Sequence, residues 1–364
     1  MRIGFDGRWY NQSGVGSYVL HLLRELALLD QSEHEFIIYE SPDNQVPVEG
    51  SRIRKVAVTS GKYSPAAQLE LALRCRRDRL HVFHAPFYII PFLACCPVVV
   101  TIHDLIPFLF PIYGRAHLEL VKFGYRCAVR RSDQIVSVSQ TTANDLYSIL
   151  GVSPERISVV HNGVQHDIFR PGHDPKELEY LRQKYGLVQP YVLTLSASNW
   201  HTKNLDTALM AIKGAQQIAG VGFQTVVAGP PQGLHATGLA SAIDNLKVLG
   251  FVDSADLPML YRHARVFVSV SRYEGFGLPL LEAMASGSAA VTSTGGSLPE
   301  IAADAVACYH VDDAQGMASE IATLLCDPHY HQSRVARSVQ RAAEFSYQRT
   351  ALRMLSVYKQ AAQR

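Results

Sequence analysis

Several features are scarce or absent in this sequence, and each absence excludes a class of protein. The six cysteines show no Cys-x-x-Cys spacing, so we expect free, mostly buried thiols in a reducing cytoplasm and no zinc site. The formal net charge of +2 is close to neutral, which gives no reason to expect a nucleic-acid partner.

Long apolar runs are also lacking. The nearest candidate, residues 87–100, is interrupted by Pro91 and Pro97 and falls short of the length that crosses a bilayer. Residues 1–5 already read as a first strand, so no signal peptide is expected. These features predict a cytoplasmic protein that is not integral to a membrane.

The composition is that of a folded chain with two domains. A length of 364 residues is enough for two cores, and 48% apolar with 18% charged residues indicates a folded protein. Strand-like segments alternate with helical segments along the first half, which predicts a parallel α/β domain. The predicted strands cover residues 2–5, 35–39, 54–58, 80–83, 98–102 and 134–138.

One stretch of the second half, residues 271–287, predicts a binding site. Residues 266–270 form a β-branched and aromatic run that is typical of a buried parallel strand. A helix is predicted over residues 280–285, with Pro279 in its first turn and Gly287 at its end. The loop between strand and helix directs backbone N–H groups and the positive end of the helix dipole at the space above the sheet. We therefore predict that an anion such as a phosphate binds there.

Two carboxylates flank this predicted anion site. Glu274 lies in the loop and Glu282 about one turn into the helix. In isolation, two acids near a helix start would be interpreted as solvated side chains. Gly275 and Gly277 permit close backbone approach, and a carboxylate accepts hydrogen bonds from paired hydroxyls of a sugar or ribose. The combination favours a ligand that carries both phosphate and sugar.

The stretch Glu274-Gly-Phe-Gly-Leu-Pro-Leu-Leu-Glu282-Ala-Met-Ala-Ser-Gly resembles the E-x7-E signature of retaining glycosyltransferases of the GT-B fold, in particular glycosyltransferase family 4. The resemblance implies two Rossmann-like, doubly wound parallel-sheet domains that face a cleft. It implies that Glu274 is catalytic and contacts the donor sugar, and that Glu282 holds the nucleoside ribose. The other implied donor contacts in this stretch come from Gly275, Phe276, Gly277 and Leu278.

A second implied donor site is Lys203-Asn204, which precedes a helix predicted from residue 205. Lysine at a helix start is unfavourable for the helix dipole unless an anion is present. The resemblance implies that Lys203 is catalytic and contacts the donor diphosphate, with Asn204 beside it.

The chain departs from the family pattern near this lysine. Many members carry an arginine five residues before the lysine or immediately before it, where this chain has Ser198 and Thr202. The sequence leaves open whether another residue such as Arg8 or His201 replaces it.

Turn-forming residues at positions 169–175 predict a domain boundary. We assign residues 1–168 to an N-terminal domain on the acceptor side and residues 169–345 to a domain that binds the nucleotide-sugar. Residues 346–364 have helical periodicity, and the resemblance implies that this helix crosses back to the N-terminal domain.

In the N-terminal domain, the first strand is followed by a loop with Gly14-Val15-Gly16 and by a helix predicted over residues 18–29. Val19 occupies the third glycine position of a dinucleotide fingerprint, which argues against an NAD site. The resemblance implies instead that the Gly14-Val15-Gly16 segment covers the donor sugar and the acceptor. His103, after the fifth predicted strand, matches the family's position for a catalytic histidine near the donor sugar.

Two apolar segments of this domain, residues 87–93 and 104–114, lie near clusters of arginine and lysine in the sequence. Core packing with solvated charges would explain them equally well. The alternative is a shallow face that rests peripherally on the inner face of the cytoplasmic membrane while the active site works on a lipid-linked acceptor.

The resemblance implies a retaining hexosyltransferase of polysaccharide or O-antigen biosynthesis. No Asp-x-Asp occurs, so we expect neither a metal ion nor a cofactor besides the nucleotide-sugar donor. No carboxylate is placed as a covalent nucleophile, which favours departure and attack on the same face. The resemblance to mannosyltransferases makes GDP-mannose the first choice of donor and a glycan or lipid-linked oligosaccharide the acceptor. UDP-glucose and UDP-N-acetylglucosamine stay open as donors, and an epimerase or a non-catalytic subunit that binds sugar nucleotides stays open as the function.

Overall fold

The structure, a computed structural model, describes residues 1–29, 34–197 and 200–363. The chain forms two compact units, the first composed of Met1–Gly163 and Ser346–Arg364 and the second of Val164–Phe345. The first unit thus contains both ends of the described chain. Its first segment ends at Gly163, slightly before the predicted boundary at residue 168.

The first unit contains a seven-stranded sheet whose strands alternate with helices along the chain. The strands are β1 (Arg2–Asp6), β2 (Glu35–Glu40), β3 (Ile53–Ala57), β4 (Val82–Ala85), β5 (Val98–Ile102), β6 (Gln134–Ser137) and β7 (Ile157–Val159). Their order is β3-β2-β1-β4-β5-β6-β7, and each neighbouring pair is parallel. The helices are α1 (Ser13–Leu29), α2 (Pro65–Arg77), α3 (Ile106–Leu109), α4 (Arg115–Arg131) and α5 (Gln140–Leu150), with short 3-10 helices at Gly7–Trp9 and Pro154–Arg156.

The second unit contains a six-stranded parallel sheet. Its strands are β8 (Tyr191–Leu195), β9 (Gln224–Ala228), β10 (Leu246–Gly250), β11 (Val266–Ser269), β12 (Ala289–Ser293) and β13 (Ala307–Tyr309), in the order β10-β9-β8-β11-β12-β13. The helices are α6 (Pro175–Tyr185), α7 (Trp200–Lys203), α8 (Leu205–Ile218), α9 (Gln232–Thr237), α10 (Leu257–His263), α11 (Leu278–Ala285), α12 (Leu298–Ala302), α13 (Ala314–Cys326) and α14 (Pro328–Ala342), with a 3-10 helix at Ala240–Ala242. The two sheets confirm the predicted pair of doubly wound α/β domains.

Helices cover both faces of the first sheet, so its central strands are buried on both sides and read as continuous apolar runs. Strand β5, with the sequence Val-Val-Val-Thr-Ile, is buried at all five positions. After unit two the chain returns to the first unit as α15 (Tyr347–Ala362). Met354 and Tyr358 of α15 pack in one core cluster with Tyr18 and Leu22 of α1.

His84 at the end of β4 joins this cluster to the sheet. Its Nδ1 lies 2.7 Å from the Tyr358 hydroxyl and its Nε2 lies 2.8 Å from the Thr101 hydroxyl. Burial, together with the nearby His103, lowers the pKa of His84 to about 3. His84 is therefore a neutral structural residue that connects α15 to β4 and β5.

Both sheets have a point at which the strand order reverses. In the first sheet it lies between β1 and β4, and in the second between β8 and β11. Connections leave these two strands toward opposite sides of the sheet, which opens a crevice at the carboxyl ends of the strands where ligands bind in α/β folds. The loops after β8 and β11 are thus the expected binding loops of the second unit.

Two further features bear on the sequence analysis. The six cysteines are unpaired, with Cys75 and Cys96 buried but Cys95 and Cys326 exposed, so the expectation of mostly buried thiols holds for only part of the set. Within the described ranges, every helix is too short or too polar to cross a bilayer.

Candidate functional site

A pocket of about 210 Å³ lies at the carboxyl ends of β8 and β11, where the strand order of the second sheet reverses. It is lined by Thr194, Leu195, Ser196, Ala197, Lys203, Phe267, Val268, Ser269, Val270, Ser271, Glu274 and Pro279. Two of the residues that the sequence predicts to be catalytic, Lys203 and Glu274, therefore share one pocket.

Lys203 and Glu274 form an ion pair in this pocket. The Lys203 Nζ atom lies 2.6 Å from Glu274 Oε1, and the two side chains are 26% and 14% exposed. The hydroxyl of Ser271 donates a hydrogen bond of 2.6 Å to the same oxygen. An ammonium and a carboxylate are thus held side by side at the pocket, where an anion and a sugar hydroxyl would find their partners.

Asn204 fixes the position of Lys203. It adopts the left-handed conformation with φ of 56°, which asparagine tolerates better than most residues. Its buried side-chain amide donates to the carbonyls of Val270 (3.0 Å) and Val311 (2.6 Å), and its oxygen accepts from the Thr207 hydroxyl (3.0 Å). The side chain of Asn204 is thus bonded inside the unit next to Lys203, and its contact with the donor stays a prediction.

The loop from Gly275 to Leu278 leads into α11. Gly277 precedes the helix with φ of 96°, a conformation that favours glycine, and no side chain caps the helix start. The first N–H groups of a helix have no intrahelical acceptors and carry the positive end of its dipole. The Phe276 ring is buried and packs edge to face on Phe345, with ring centroids 6.0 Å apart. A ligand here meets backbone N–H groups and not the phenyl ring.

A second loop, after β12, holds the backbone of Glu274. Ser297 donates to the Glu274 carbonyl from both its N–H and its hydroxyl, each at 3.0 Å. A Cβ added at Gly295 would lie 1.9 Å from the Ser271 carbonyl oxygen, and one at Gly296 would lie 2.3 Å from the Glu274 carbonyl oxygen. The sequence analysis missed this support, for which the Gly-Gly-Ser run after a predicted strand was the available signal.

Glu282 lies on α11 and is half-buried. Burial raises the pKa of Glu282 to about 7, against the smaller lowering effect of the nearby Tyr261 hydroxyl. That hydroxyl is itself buried without a hydrogen bond of normal geometry to the described residues. Glu282 therefore changes its charge near neutral pH. Nothing in the sequence around Tyr261 indicated its proximity to this acid.

In the first unit, the Gly14-Val15-Gly16 segment differs from the predicted loop. It forms the first turn of α1, which begins at Ser13 and not at residue 18. The first turn of a helix lacks intrahelical N–H bonds, so glycine weakens it little there. A Cβ at Gly16 would lie 1.9 Å from the Tyr10 carbonyl oxygen, whereas Gly14 has open space around it. Close packing thus requires the second glycine but not the first.

His103 follows β5 in the first unit, as predicted from its position after a strand. Its Nε2 lies 2.9 Å from the Pro86 carbonyl, which can only accept, so this nitrogen carries the proton. Burial lowers the pKa of His103 to about 4 and outweighs the opposing effect of that carbonyl. The imidazole is therefore neutral at physiological pH, with Nδ1 as its acceptor.

Arg8 and His201 are the two residues considered as replacements for the arginine that many family members carry near this lysine. Arg8 is buried in an ion pair with Asp6 (2.7 Å), so its charge is already balanced within the first unit. His201 is exposed on α7, two positions before Lys203, and Thr202 is buried. Ser198 lies outside the described residues. Lys203 is thus the cation that lines the described pocket.

Potential metal ligands do not converge in the described parts of the chain, where no group of three His, Cys, Asp or Glu side chains could hold an ion.

Comparison with known proteins gives matches along most of the chain. The model of Glycosyltransferase Family 4 matches residues 12–168, and the model of Glycosyl transferases group 1 matches residues 189–327. The O-antigen chain mannosyltransferase B of Escherichia coli is 26% identical over 376 aligned positions, which cover 96% of this chain and 97% of that protein. The serotype-specific mannosyltransferase WbdA of Escherichia coli is 27% identical over 262 positions, which cover 70% of this chain but 32% of that longer protein.

A solved structure supports the fold. A sucrose-phosphate synthase from Thermosynechococcus elongatus has a TM-score of 0.77 and 19% identity to this chain, with 99% of this chain and 98% of that chain covered.

Proposed function

We propose that this chain, which belongs to glycosyltransferase family 4 and has the GT-B fold, transfers mannose from GDP-mannose to a glycan or lipid-linked oligosaccharide. The observation that carries the proposal is the Lys203–Glu274 ion pair in a pocket beside the start of α11. A lysine and a helix start suit a diphosphate, and a carboxylate suits the hydroxyls of a hexose. Relatives named as mannosyltransferases, one of them an O-antigen enzyme aligned along nearly the whole chain, support mannose as the sugar and polysaccharide or O-antigen biosynthesis as the role.

The proposed mechanism follows from the charge that develops on the leaving group. As the bond between the sugar and the diphosphate breaks, negative charge grows on the phosphate oxygens. Lys203 and the N–H groups at Gly277 and Leu278 stabilise that charge, and each such contact lowers the barrier by about 3 kcal/mol. In this proposal, the protein's own positive groups serve where other transferases use a metal ion.

We further propose that the transfer retains the configuration of the sugar. Glu274 is the carboxylate among the residues that line the pocket, and it is paired with Lys203. Ser271 also holds Oε1 of Glu274, and we assign this carboxylate to the sugar hydroxyls and not to attack on the anomeric carbon, so the acceptor hydroxyl attacks from the face that the diphosphate leaves. His103, neutral and able to accept a hydrogen bond at Nδ1, contacts a sugar hydroxyl.

We propose that the first unit contacts the cytoplasmic membrane peripherally through α4. Leu120 and Phe123 of this helix are 66% and 62% exposed, and Arg126 and Arg130, three and seven positions after Phe123, are exposed as well. An exposed apolar pair beside basic residues is the pattern of a helix that lies in the bilayer interface. Such a contact would bring a lipid-linked acceptor to the enzyme.

The function is tested by measuring mannose transfer from GDP-mannose together with thermal stabilisation by nucleotide-sugars. A donor at one hundred times its Kd stabilises the folded protein by about 2.7 kcal/mol. Lys203→Ala and Glu282→Ala are expected to abolish transfer and donor hydrolysis. Lys213→Ala, a lysine of the same unit that does not line the pocket, is the matched control and retains both.

Wild-type transfer by both Lys203→Ala and Glu282→Ala would refute the site. If UDP-glucose or UDP-N-acetylglucosamine stabilises the protein and GDP-mannose does not, the UDP sugar takes the place of GDP-mannose as the proposed donor. Binding of a nucleotide-sugar without transfer to any glycan would indicate a non-catalytic subunit.

The membrane contact is tested by flotation with anionic and with neutral phospholipid vesicles. The variant with both Leu120 and Phe123 changed to serine is expected to lose binding to anionic vesicles. Leu352→Ser is the control, since Leu352 is also exposed in the first unit but lies on α15. Equal binding by all forms would contradict this proposal.

A further inference from the structure

One oxygen of the Glu274 carboxylate is shared between two donors. Lys203 Nζ and Ser271 Oγ each lie 2.6 Å from Oε1. Oε2 forms no hydrogen bond or ion pair with the residues that the structure describes. The carboxylate is therefore held at one oxygen and open at the other.

The two donors differ in how firmly they are held. Lys203 ends the short helix α7, and its side chain is partly exposed at the pocket. Ser271 is buried, and its carbonyl accepts a hydrogen bond of 2.6 Å from the Ser293 hydroxyl. The close approach of Gly295 to the same carbonyl leaves the Ser271 backbone little room to move. Ser271 is thus held on more sides than Lys203, whose side chain is partly exposed at the pocket.

A bound donor sugar would separate these two contacts. The diphosphate carries more negative charge than one carboxylate, so it competes for the Lys203 ammonium. Once the ammonium turns to the diphosphate, Glu274 keeps only its short hydrogen bond from Ser271. A hydrogen bond to an ionised acceptor in a partly buried pocket is among the stronger ones, and it fixes the orientation of the acceptor.

We propose that Ser271 is a positioning residue for the transfer reaction, which holds the Glu274 carboxylate in place after Lys203 has moved to the donor diphosphate. The open oxygen, Oε2, then stays available to the hydroxyls of the hexose. This inference rests on the proposed function. Nothing in the E-x7-E stretch itself points to this serine, which precedes its first glutamate by three positions.

The test compares two serines that bond different parts of the same glutamate. Ser271→Ala removes the hydroxyl that binds the Glu274 carboxylate. Ser297→Ala removes a hydroxyl that binds the Glu274 main-chain carbonyl, where the Ser297 N–H still donates. Ser271→Thr keeps the hydroxyl and serves as the rescue. Each variant is assayed for kcat and for the KM of GDP-mannose in the full-length protein, with its melting temperature recorded.

Ser271→Ala is expected to lower kcat on the order of 10- to 100-fold, the loss that follows from removing a hydrogen bond to a charged group. The KM for GDP-mannose changes less than about threefold because the diphosphate contacts remain. Ser271→Thr restores most of kcat, and Ser297→Ala stays within about threefold of the wild type.

The outcomes separate this inference from the proposed function. An active Ser271→Ala beside an inactive Glu274→Gln overturns the positioning role alone. Activity in both Glu274→Gln and Lys203→Ala overturns the proposed function. Equal losses in Ser271→Ala and Ser297→Ala, with lowered melting temperatures, mean that Ser271 only supports the loop and also overturn the inference. If Ser271→Ala does not fold, a folded Ser271→Thr with low kcat overturns it and one with wild-type kcat supports it.

Discussion

Replacement of Glu282 by glutamine is expected to change how the stability of the second unit depends on pH. Burial raises the pKa of Glu282 from its ordinary value of 4.5 to about 7 in the folded protein. The folded state therefore binds this proton more tightly than the unfolded state does. The stabilising effect is fully present below pH 4.5 and is lost as the pH rises through 7. The difference between the two values corresponds to about 3 kcal/mol of unfolding free energy.

The assay is denaturant unfolding of the wild type and of Glu282→Gln between about pH 5 and about pH 8. Glutamine keeps the size of the side chain but cannot ionise, so the difference between the two proteins isolates this one group from the 15 histidines. Near pH 5 the two stabilities are expected to be similar. Above pH 7 the variant becomes more stable, by an amount that approaches about 3 kcal/mol. A difference that does not change with pH would refute the assigned pKa.

The affinity for the donor is expected to rise with pH, whereas the stabilising effect of Glu282 falls. If Glu282 accepts hydrogen bonds from ribose hydroxyls, as proposed, only its ionised form binds well. With a pKa of about 7, the ionised fraction rises roughly tenfold between pH 6 and pH 8, and the affinity for GDP-mannose should rise with it. Isothermal titration of the wild type and of Glu282→Gln measures this. A pH-independent wild-type affinity would count against the ribose contact.

Two further predictions concern the first unit. Gly16→Ala should lower the unfolding free energy by about 3 kcal/mol because the added methyl group collides with the Tyr10 carbonyl, whereas Gly14→Ala should change it by less than about 1 kcal/mol. Urea unfolding of both variants measures this, and a Gly16→Ala protein as stable as the wild type would contradict the packing. Tyr358→Phe should lower the unfolding free energy by about 1–3 kcal/mol because it leaves the buried His84 Nδ1 without its partner. Unchanged denaturant midpoints would show that this hydrogen bond is dispensable.

Much of the fold could be predicted because buried parallel strands leave a plain mark in the sequence. The bounds of β5 match the prediction at both ends, since five consecutive buried residues are all β-branched. The predicted start of α1, residue 18, was wrong because glycine disfavours helices in general. The first turn of a helix lacks intrahelical N–H bonds and therefore tolerates glycine, so α1 begins at Ser13. Local propensity therefore predicts well whether a segment is a helix or a strand, but it predicts poorly where a helix begins or ends.

The site was predictable to the extent that its residues lie within short motifs. Lys203 and Glu274 were each singled out, but their direct contact joins positions 71 residues apart and follows only from the fold. The buried position of the Asn204 side chain also depends on two carbonyls that follow distant strands, those of Val270 and Val311. Contacts made by Tyr261 and by Gly295 are invisible to a reading of neighbouring residues for the same reason.

The return of α15 to the first unit has a consequence for biosynthesis. The second unit is one continuous stretch, whereas the first is completed by a helix made last. On the ribosome, the later unit can therefore finish folding before the earlier one. Until α15 is synthesised, the apolar side of α1 and the ring of His84 lack the residues that cover them in the folded unit. The second unit is thus encoded by one continuous segment, whereas the first unit is assembled from two segments that are far apart in sequence.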